Sequence, residues 1–235
     1  MFSAPRHVSL LARRALLVGG AALLLSPGGI HAEEPAAPGT LAGEVSIKRW
    51  WRYKKDRSDV VVYLEGVPEE PPTPPSEPHV ILQRDKQFTP RVSVVVTGTV
   101  IEFPNDDKIF HNVFSLSRAA RFDLGLYRSG SSKSVTMKQP GVVDVYCNIH
   151  PEMAAKVLVL DTRHYFQTGA DGRFSIPELP PGTYVARAWQ ASGEDWSGEV
   201  TIRAGETTQL EIELGEDRRR ETHTRKDGTP YGRYR

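Results

Sequence analysis

Short runs of alternating apolar and polar residues, separated by turn residues, recur along most of this chain. Residues 92–96 alternate before a turn at Gly98-Thr99, and residues 210–214 alternate with glutamates on the opposite face. A period of two residues is typical of β-strands, and short strands at even spacing favour a β-sandwich. The stretch Lys156–Leu160 is almost wholly apolar, which indicates a strand inside a sheet. No convincing amphipathic helix follows residue 32, so we expect an all-β protein.

Composition and charge exclude several classes of protein. The chain has 235 residues, of which 39% are hydrophobic, and this excludes collagen, coiled coils and wholesale disorder. The formal net charge is +1, but residues 1–32 hold three arginines and no acid, and residues 215–235 hold seven Lys/Arg against four Asp/Glu. The residues between them therefore carry a net charge of −5, which argues against a nucleic-acid-binding protein. Residues 215–235 have almost no apolar content, so we expect a flexible basic tail.

The N-terminal residues have the pattern of a signal peptide. Arg6, Arg13 and Arg14 precede an apolar stretch of 11 residues, Ala15–Leu25, and Ala32 offers a small residue for cleavage. Such a stretch falls short of the ~20 residues that a membrane-spanning helix needs. We therefore expect residues 1–32 to be removed and the mature protein to be exported to the periplasm, with no membrane span. The pair Arg13-Arg14 leaves open whether export follows the Sec or the twin-arginine route.

One cysteine lies in a run of residues that can bind a metal. Cys147 is the only cysteine, so no intrachain disulfide can form. It begins the run Cys147-Asn-Ile-His150-Pro-Glu-Met153 at the end of a strand, and His111 lies 36 residues earlier. Two imidazoles, a thiolate and a thioether are the donors of a blue-copper site, because the soft sulfurs favour Cu(I) and the imidazoles also accept Cu(II). We therefore expect these four residues to bind one copper ion.

Other interpretations of the same residues stay open. A closed zinc site would favour a second cysteine or histidine in place of Met153. A Cys-His catalytic dyad would need an orienting Asn or Asp, and none is obvious in the sequence. Taken singly, Cys147 would more often be a small buried hydrophobe, His150 a surface residue and Met153 a core filler.

Residues 80–160 resemble a small cupredoxin of the plastocyanin/amicyanin type, and we place this domain at residues 80–161. The matching pieces are Phe88-Thr-Pro90, Val94–Gly98, Phe103-Pro-Asn105, His111-Asn112, Ser129-Gly130, and Gly141 leading to Tyr146-Cys147-Asn-Ile-His150-Pro-Glu-Met153. The short run from cysteine to methionine is most similar to that of amicyanin. The resemblance implies a Greek-key β-sandwich with one copper ion, and it implies these metal ligands: His111, Cys147, His150 and Met153.

The resemblance also implies roles for neighbouring residues. The backbone amide of Asn112 is expected to hydrogen-bond the ligand thiolate, which tunes the reduction potential. The edge of His150 is expected to be exposed in an apolar patch with Pro151 and Phe110 at its rim, where a periplasmic redox protein docks. Such a carrier has no small-molecule substrate of its own. The stretch Ser115–Arg128 does not align with the family, so the surface around His150 is not defined by the resemblance.

A second resemblance covers the C-terminal part of the chain. Thr168–Tyr184 contains the pattern D-G-x-F followed by L-P-P-G-x-Y. This resembles a carboxypeptidase regulatory-like (transthyretin-like) sandwich, and we place this domain at residues 162–214. A piece of about 50 residues is small for a core without disulfides. The family's first two strands are matched far upstream by residues 41–66, which include the run Gly43-Glu-Val45.

We therefore predict a discontinuous sandwich, formed by residues 41–66 and 162–214, into which the cupredoxin is inserted. The proline-rich residues 67–79 are expected to form an extended linker at one junction. In the alternative, residues 41–66 add strands to the cupredoxin itself. A pairing of Val45 or Val61 with cupredoxin strands would favour that alternative.

The preferred function is an exported type 1 copper protein that transfers single electrons between periplasmic redox partners. Copper storage or delivery would use the same ligands but needs a labile site. An envelope- or glycan-binding module with an accessory cupredoxin is the third alternative. An enzyme is disfavoured, because four protein ligands leave the metal no vacant position. We expect all four tryptophans in the core and rim of the second sandwich rather than in a sugar- or partner-binding patch: Trp50, Trp51, Trp189 and Trp196.

Overall fold

A computed structural model of the protein describes residues 36–216 and 223–231. All regular secondary structure in these residues is β-strand, which confirms the all-β expectation. The predicted signal peptide, residues 1–32, lies outside the described residues. Within them, no helix has the length and apolar character needed to cross a membrane.

The described residues form eighteen strands, which divide into two sandwiches. The first nine, in chain order, are β1 (Gly39–Arg49), β2 (Arg52–Tyr53), β3 (Val61–Glu65), β4 (His79–Val80), β5 (Leu82–Arg84), β6 (Gln87–Thr89), β7 (Val92–Val96), β8 (Val100–Pro104) and β9 (His111–Leu116). The remaining nine are β10 (Arg121–Tyr127), β11 (Ser132–Thr136), β12 (Gly141–Cys147), β13 (Ala154–Leu160), β14 (Tyr165–Gln167), β15 (Arg173–Leu179), β16 (Gly182–Trp189), β17 (Trp196–Ile202) and β18 (Thr207–Gly215).

Strands β4 to β13 form one sandwich, which we call the central sandwich. Its larger sheet has the order β10-β9-β12-β13-β7, its smaller sheet has the order β11-β8-β4, and β5 pairs with β6 in a hairpin. Strand β13 lies between β12 and β7, which confirms that its apolar run is an interior strand. Side chains from both sheets fill the core, where Phe103 of the smaller sheet and Val145 of the larger sheet are fully buried.

Strands before and after the central sandwich form a second one, which we call the split sandwich. One of its sheets has the order β15-β1-β18, with β2 paired to β1, and the other has the order β14-β3-β16-β17. Val45 of β1 is paired with Ile212, and Val61 of β3 is paired with Trp189. Side chains from these early and late strands share one buried core. Segments that lie far apart in the chain therefore complete a single sandwich.

Strand β1 ties the split sandwich together. It runs parallel to β18 and antiparallel to β15, so an early strand lies between two late ones. Gly43 lets the backbones of β1 and β18 approach closely, because a Cβ at this position would collide with the carbonyl oxygen of Leu210. This close approach explains the glycine that opens the upstream strand pattern.

The two sandwiches meet at a small buried cluster formed by Val61, Leu158, Leu160 and Trp189.

The proline-rich segment forms no strand, and it ends at Pro78 rather than at residue 79, because His79 already belongs to β4. Glu69 anchors this segment. Its carboxylate accepts a hydrogen bond of 2.6 Å from the Thr162 hydroxyl and lies 3.2 Å from Nε2 of His164.

The tryptophans do not all lie where we expect them. Trp189 is 7% exposed, and Trp196 packs against the core of the split sandwich. Trp50 and Trp51 are 59% and 75% exposed, so the expectation of core and rim packing is wrong for these two. They form the two-residue turn between β1 and β2, in which Trp50 has a φ of 58°. A turn of this kind presents its side chains to solvent.

Candidate metal centre

Three of the four predicted ligands bring their donor atoms together at one end of the larger sheet. The Cys147 Sγ atom lies 3.5 Å from Nδ1 of His150 and 3.8 Å from Nδ1 of His111. The two Nδ1 atoms lie 3.1 Å apart. His111 and Cys147 are fully buried, and His150 is half-buried. No other group of His, Cys, Asp and Glu side chains in the described part of the chain has the arrangement of a metal site.

Strand pairing explains why residues so far apart in sequence meet. His111 begins β9 and Cys147 ends β12, and these strands are antiparallel neighbours in which Cys147 pairs with Val113. The start of one strand and the end of the other therefore lie at the same edge of the sheet. A short loop, residues 148–152, then places His150 beside Cys147. We call it the ligand loop.

Backbone hydrogen bonds hold the ligand loop in place. The Asn148 amide donates to the Asn112 carbonyl at 2.9 Å, and the Met153 amide donates to the His150 carbonyl at 3.2 Å. The Cys147 amide donates to the Met153 carbonyl, also at 3.2 Å. The loop is thus closed on itself and tied to β9, so the sheet determines the positions of both its ends.

Met153, the fourth predicted ligand, lies in the same part of the core. It is fully buried and belongs to the same core cluster as Cys147. It directly precedes β13, which pairs with the strand that ends in Cys147. The structure therefore brings a thioether and a thiol into one buried region.

Asp107 orients the ring of His111. The Nε2 atom of His111 lies 2.7 Å from the Asp107 carboxylate, which favours the tautomer with its proton on Nε2 and leaves the Nδ1 lone pair to face the other donor atoms. The backbone amides of Asp85 and Lys86 donate to the same carboxylate, at 2.6 and 3.0 Å. Burial acts to raise the pKa of Asp107, but these hydrogen bonds and the one from His111 lower the pKa below its usual value.

Asp107 is a residue of the candidate site that the sequence pattern did not single out, and it supplies the orienting carboxylate that was not obvious in the sequence. A signal was present, because Asp107 stands four residues before His111 in the loop that leads into β9. The contacts run from Cys147 to His111 and from His111 to Asp107, as they do from nucleophile to base to orienting acid in a catalytic triad. A nucleophilic thiol must be reached by its substrate, however, and Cys147 and His111 are both 0% exposed. Burial thus disfavours the catalytic interpretation.

The surroundings of the sulfur act on its charge in two directions. Burial raises the pKa of the Cys147 thiol, and the backbone amides of Asn112, Ile149 and His150 act to lower it. The Asn112 amide, to which the resemblance assigns a contact with the thiolate, is one of these groups. Burial lowers the pKa of His150, and the neighbouring His111 lowers it further. Both effects favour the neutral imidazole, the form in which a histidine binds a metal.

The three donor atoms fit a bound metal ion. The triangle formed by their separations has its centre about 2 Å from each of them, close to the metal–nitrogen and metal–thiolate bond lengths of first-row metal sites. Two imidazole nitrogens and one sulfur converge on that centre. The carboxylate on the far side of His111 is the kind of partner that a metal-bound histidine usually has.

Residues 223–231 lie against the ligand loop, so the expectation of a flexible basic tail is wrong for this segment. The Tyr231 hydroxyl donates to the Cys147 carbonyl at 2.6 Å, and Nε2 of His223 lies 2.8 Å from the Pro151 carbonyl oxygen. The start of the expected tail also differs, because β18 extends to residue 215. Low apolar content did not reveal these contacts, since polar and aromatic groups make them.

A model of the carboxypeptidase regulatory-like domain family matches residues 150–215. The match begins in the ligand loop and includes β13, which belongs to the larger sheet of the central sandwich. It does not include β1 and β3, which complete the two sheets of the split sandwich. A sequence search among curated proteins finds no match.

Solved structures similar to this chain include cupredoxins. A purple cupredoxin from Nitrosopumilus maritimus is 21% identical, with a TM-score of 0.32, and the alignment covers 35% of this chain and 99% of that protein. An amicyanin variant is 20% identical, with a TM-score of 0.34 and coverage of 42% and 98%. A copper-containing nitrite reductase (NirK) from Thermus scotoductus SA-01 is 21% identical, with a TM-score of 0.35, and the alignment covers 40% of this chain but only 26% of the reductase. The chain thus has partial structural similarity to cupredoxins and a match to the carboxypeptidase regulatory-like domain family over residues 150–215.

Proposed function

We propose that this chain binds one copper ion through His111, Cys147, His150 and Met153 and carries single electrons between redox proteins of the periplasm. The observation that carries the proposal is the convergence of two imidazole nitrogens and a thiol sulfur, 3.1 to 3.8 Å apart, at a buried end of a β-sandwich. The thioether of Met153, buried in the same core, supports copper in preference to zinc, whose closed sites take a further cysteine or histidine.

The chain's part in electron transfer is to hold its donor atoms still. When bound, copper supplies the one-electron couple between Cu(II) and Cu(I). His111 and Cys147 stand on paired strands, and the Asn148 amide ties the ligand loop to β9. Because the sheet sets these positions, the donors would keep one arrangement in both oxidation states, and little reorganisation would oppose the transfer of an electron.

His150 is the ligand that we assign to electron exchange with partners. It is half-buried, whereas the other three ligands are fully buried. Phe110 directly precedes His111 and is 52% exposed, which adds an apolar side chain to the surface at the start of β9. Brief encounters between redox proteins use small interfaces. We therefore propose that a periplasmic redox protein docks beside His150 and that the chain has no small-molecule substrate.

The same geometry disfavours two of the alternative functions and supports a third. A copper store or delivery protein needs ready release, which full burial of three ligands disfavours. An enzyme needs an open position at the metal, and four protein ligands leave none. The exposed pair Trp50 and Trp51, with ring centroids 5.4 Å apart, supports a second role for the split sandwich as an envelope- or glycan-binding module.

We propose the following organisation for the whole chain. Residues 41–66 and 162–214 form a discontinuous carboxypeptidase regulatory-like domain, and the cupredoxin at residues 80–161 is inserted into it. The pairing of β1 with β15 and β18, and of β3 with β14 and β16, supports this organisation. Residues 1–32 form a signal peptide that is cleaved after Ala32. N-terminal sequencing of the protein from a periplasmic fraction tests this, since Glu33 should then be the first residue.

The test of the metal site is a titration with Cu(II) of metal-free protein that begins at Glu33, followed by visible absorption and EPR. We expect an intense thiolate-to-copper band that saturates at one copper per chain and is abolished in Cys147→Ser. His79→Ala is the matched control, because His79 is a half-buried histidine of the central sandwich that hydrogen-bonds Ser93 and lies outside the donor group. Absence of the band in the wild type, or equal copper binding by Cys147→Ser, would overturn the proposal.

A further inference from the structure

Residues 223–231 pack closely against the ligand loop. The imidazole of His223 stacks on the ring of Tyr146, with centroids 4.0 Å apart and planes at 14°. Its Nε2 atom lies 2.8 Å from the Pro151 carbonyl oxygen. His223 therefore contacts the residue before Cys147 and the residue after His150.

The rest of the segment contacts the cysteine and the residue after it. The Tyr231 hydroxyl donates to the Cys147 carbonyl at 2.6 Å. The Lys226 amide donates to Oδ1 of Asn148 at 2.9 Å. The Lys226 ammonium lies 2.5 Å from the carboxylate of Asp123 on β10, which ties the segment to the sheet as well as to the loop.

The segment is folded on itself, so that its two ends lie together beside the ligand loop. The Arg225 amide donates to the Thr229 carbonyl at 2.9 Å, and the Arg225 guanidinium lies 5.5 Å from the centre of the Tyr231 ring. The Tyr231 hydroxyl also lies 3.3 Å from Nδ1 of His223. His223 and Tyr231, eight positions apart, thus meet beside the ligand loop.

We propose that residues 223–231 are a strap that holds the ligand loop closed, with Tyr231 as the positioning residue for Cys147. The strap binds Asn148 and Pro151, which stand on either side of His150, and it binds the backbone of Cys147. The bond from Tyr231 to Cys147 and the pair of Lys226 with Asp123 anchor the strap to the sheet, so moving the loop away from the sheet breaks the contacts of the strap with Asn148 and Pro151. The inference rests on the proposed function only in that the loop carries His150 and joins Cys147 to Met153, three of the proposed ligands, since none of the contacts involves a metal.

The strap acts on an opening equilibrium. A buried thiol reacts, and a metal held by the loop leaves, through an open conformer whose population falls with each contact that opening breaks. Losing one hydrogen bond changes such an equilibrium by about fivefold, the equivalent of ~1 kcal/mol. Because the strap belongs to the same chain, its effective concentration at the loop is on the order of millimolar. Contacts that would be weak between separate molecules therefore hold the loop.

The test compares the reactivity of Cys147 in metal-free protein toward an aromatic disulfide reagent. The variants are a chain that ends at Glu216 and Tyr231→Phe, and the matched control is Tyr53→Phe, because the Tyr53 hydroxyl donates to Glu213 on the split sandwich. We expect the rate constant to rise about tenfold or more on truncation and about fivefold in Tyr231→Phe, and to stay unchanged in Tyr53→Phe. The chain has one cysteine, so the reaction reports on this thiol alone.

A peptide of residues 217–235 distinguishes binding of the strap from a general loss of stability. Added at millimolar concentration to the truncated chain, it should restore slow reaction, and the same peptide with Tyr231→Phe should restore it less. A general loss of stability would not be repaired in this way. Unchanged reactivity of the truncated chain, or no effect of the peptide, would overturn the strap.

The copper-loaded protein gives a second readout. Both strap variants should keep the thiolate-to-copper band, because they retain all the ligands, yet release copper to a chelator faster and in the same order as the thiol rates. Equal release rates would contradict the effect on metal exchange. If the wild type shows no such band, the proposed function fails, whereas the thiol rates of the metal-free protein still decide the strap.

Discussion

The Nε2 atom of His111 lies 2.7 Å from the carboxylate of Asp107, and the two side chains are 0% and 11% exposed. Strand pairing sets the backbone of His111, and this contact sets the orientation of its ring. The carboxylate is held in turn by the amides of Asp85 and Lys86, in the turn between β5 and β6. A hairpin that contributes none of the proposed ligands thus supports the carboxylate that holds the ring of His111.

Asp107→Ala should weaken copper binding by about 10- to 100-fold, because the ring of His111 loses the partner that selects its tautomer and orientation. A competition titration of the metal-free protein against a chelator measures the affinity. Asp106→Ala is the matched control, since Asp106 is the neighbouring acid and pairs with Arg84 at the surface. An undiminished affinity in Asp107→Ala, or an equal loss in the control, would contradict the role assigned to Asp107.

Met153→Gln should lower the reduction potential while leaving the thiolate-to-copper band in place. An amide oxygen is a harder donor than a thioether, so it stabilises Cu(II) relative to Cu(I). We expect a decrease of about 60 mV or more, which is a tenfold change in the ratio of the affinities for the two states. Voltammetry of the copper-loaded protein measures it.

Met137→Leu is the control for changing a buried methionine of the same core cluster, and it should leave the potential unchanged. In a copper store, Met153→Gln would mainly reduce affinity. A loss of copper without a shift in potential would therefore favour storage over electron transfer.

Leu41→Ala should reduce the free energy of unfolding by about 2–5 kcal/mol, the usual cost of a cavity at a buried leucine. Leu41 is fully buried in the core of the split sandwich, and it pairs with Ile176 and Thr208, which lie far along the chain. Leu116→Ala, at a leucine that is 43% exposed, should cost much less. Denaturant unfolding gives both values. A small effect at Leu41 would mean that β1 is not an integral part of that core.

The lowered pKa of Asp123 predicts how the free energy of unfolding changes at acid pH. Its burial acts to raise its pKa, but hydrogen bonds from Lys226, Asn112 and the amide of Gly125 lower the pKa to about 2. A carboxyl group with a lower pKa in the folded chain stabilises the fold above its unfolded pKa, and this stabilisation is lost as the pH falls through the folded value. The free energy of unfolding should therefore decrease between about pH 4 and pH 2 more steeply in the wild type than in Asp123→Asn. Identical slopes in denaturant unfolding would exclude this linkage.

Some features of the structure can be predicted from the sequence alone. The alternation in residues 210–214 and the apolar run of β13 both predict strands, because a two-residue period records which face of a strand is buried. Three members of the donor set are equally local, since Cys147, His150 and Met153 stand in one short run, whereas His111 stands 36 residues before Cys147. None of these inferences needs to know which strand pairs with which.

Other features depend on partners that are distant in sequence. Tyr231 donates to the carbonyl of a residue 84 positions away, and nothing in the composition of its segment indicates that contact. Trp51 and Trp189 have the same side chain, yet one stands in an exposed turn and the other lies at the junction of two sandwiches. A hydrogen bond or a buried contact needs a partner whose position is set by the tertiary structure. The sequence by itself therefore determined the all-β class and the types of metal-binding side chain that the chain offers, whereas the tertiary structure alone decided how His111 is oriented, which segment covers the ligand loop and which tryptophans are buried.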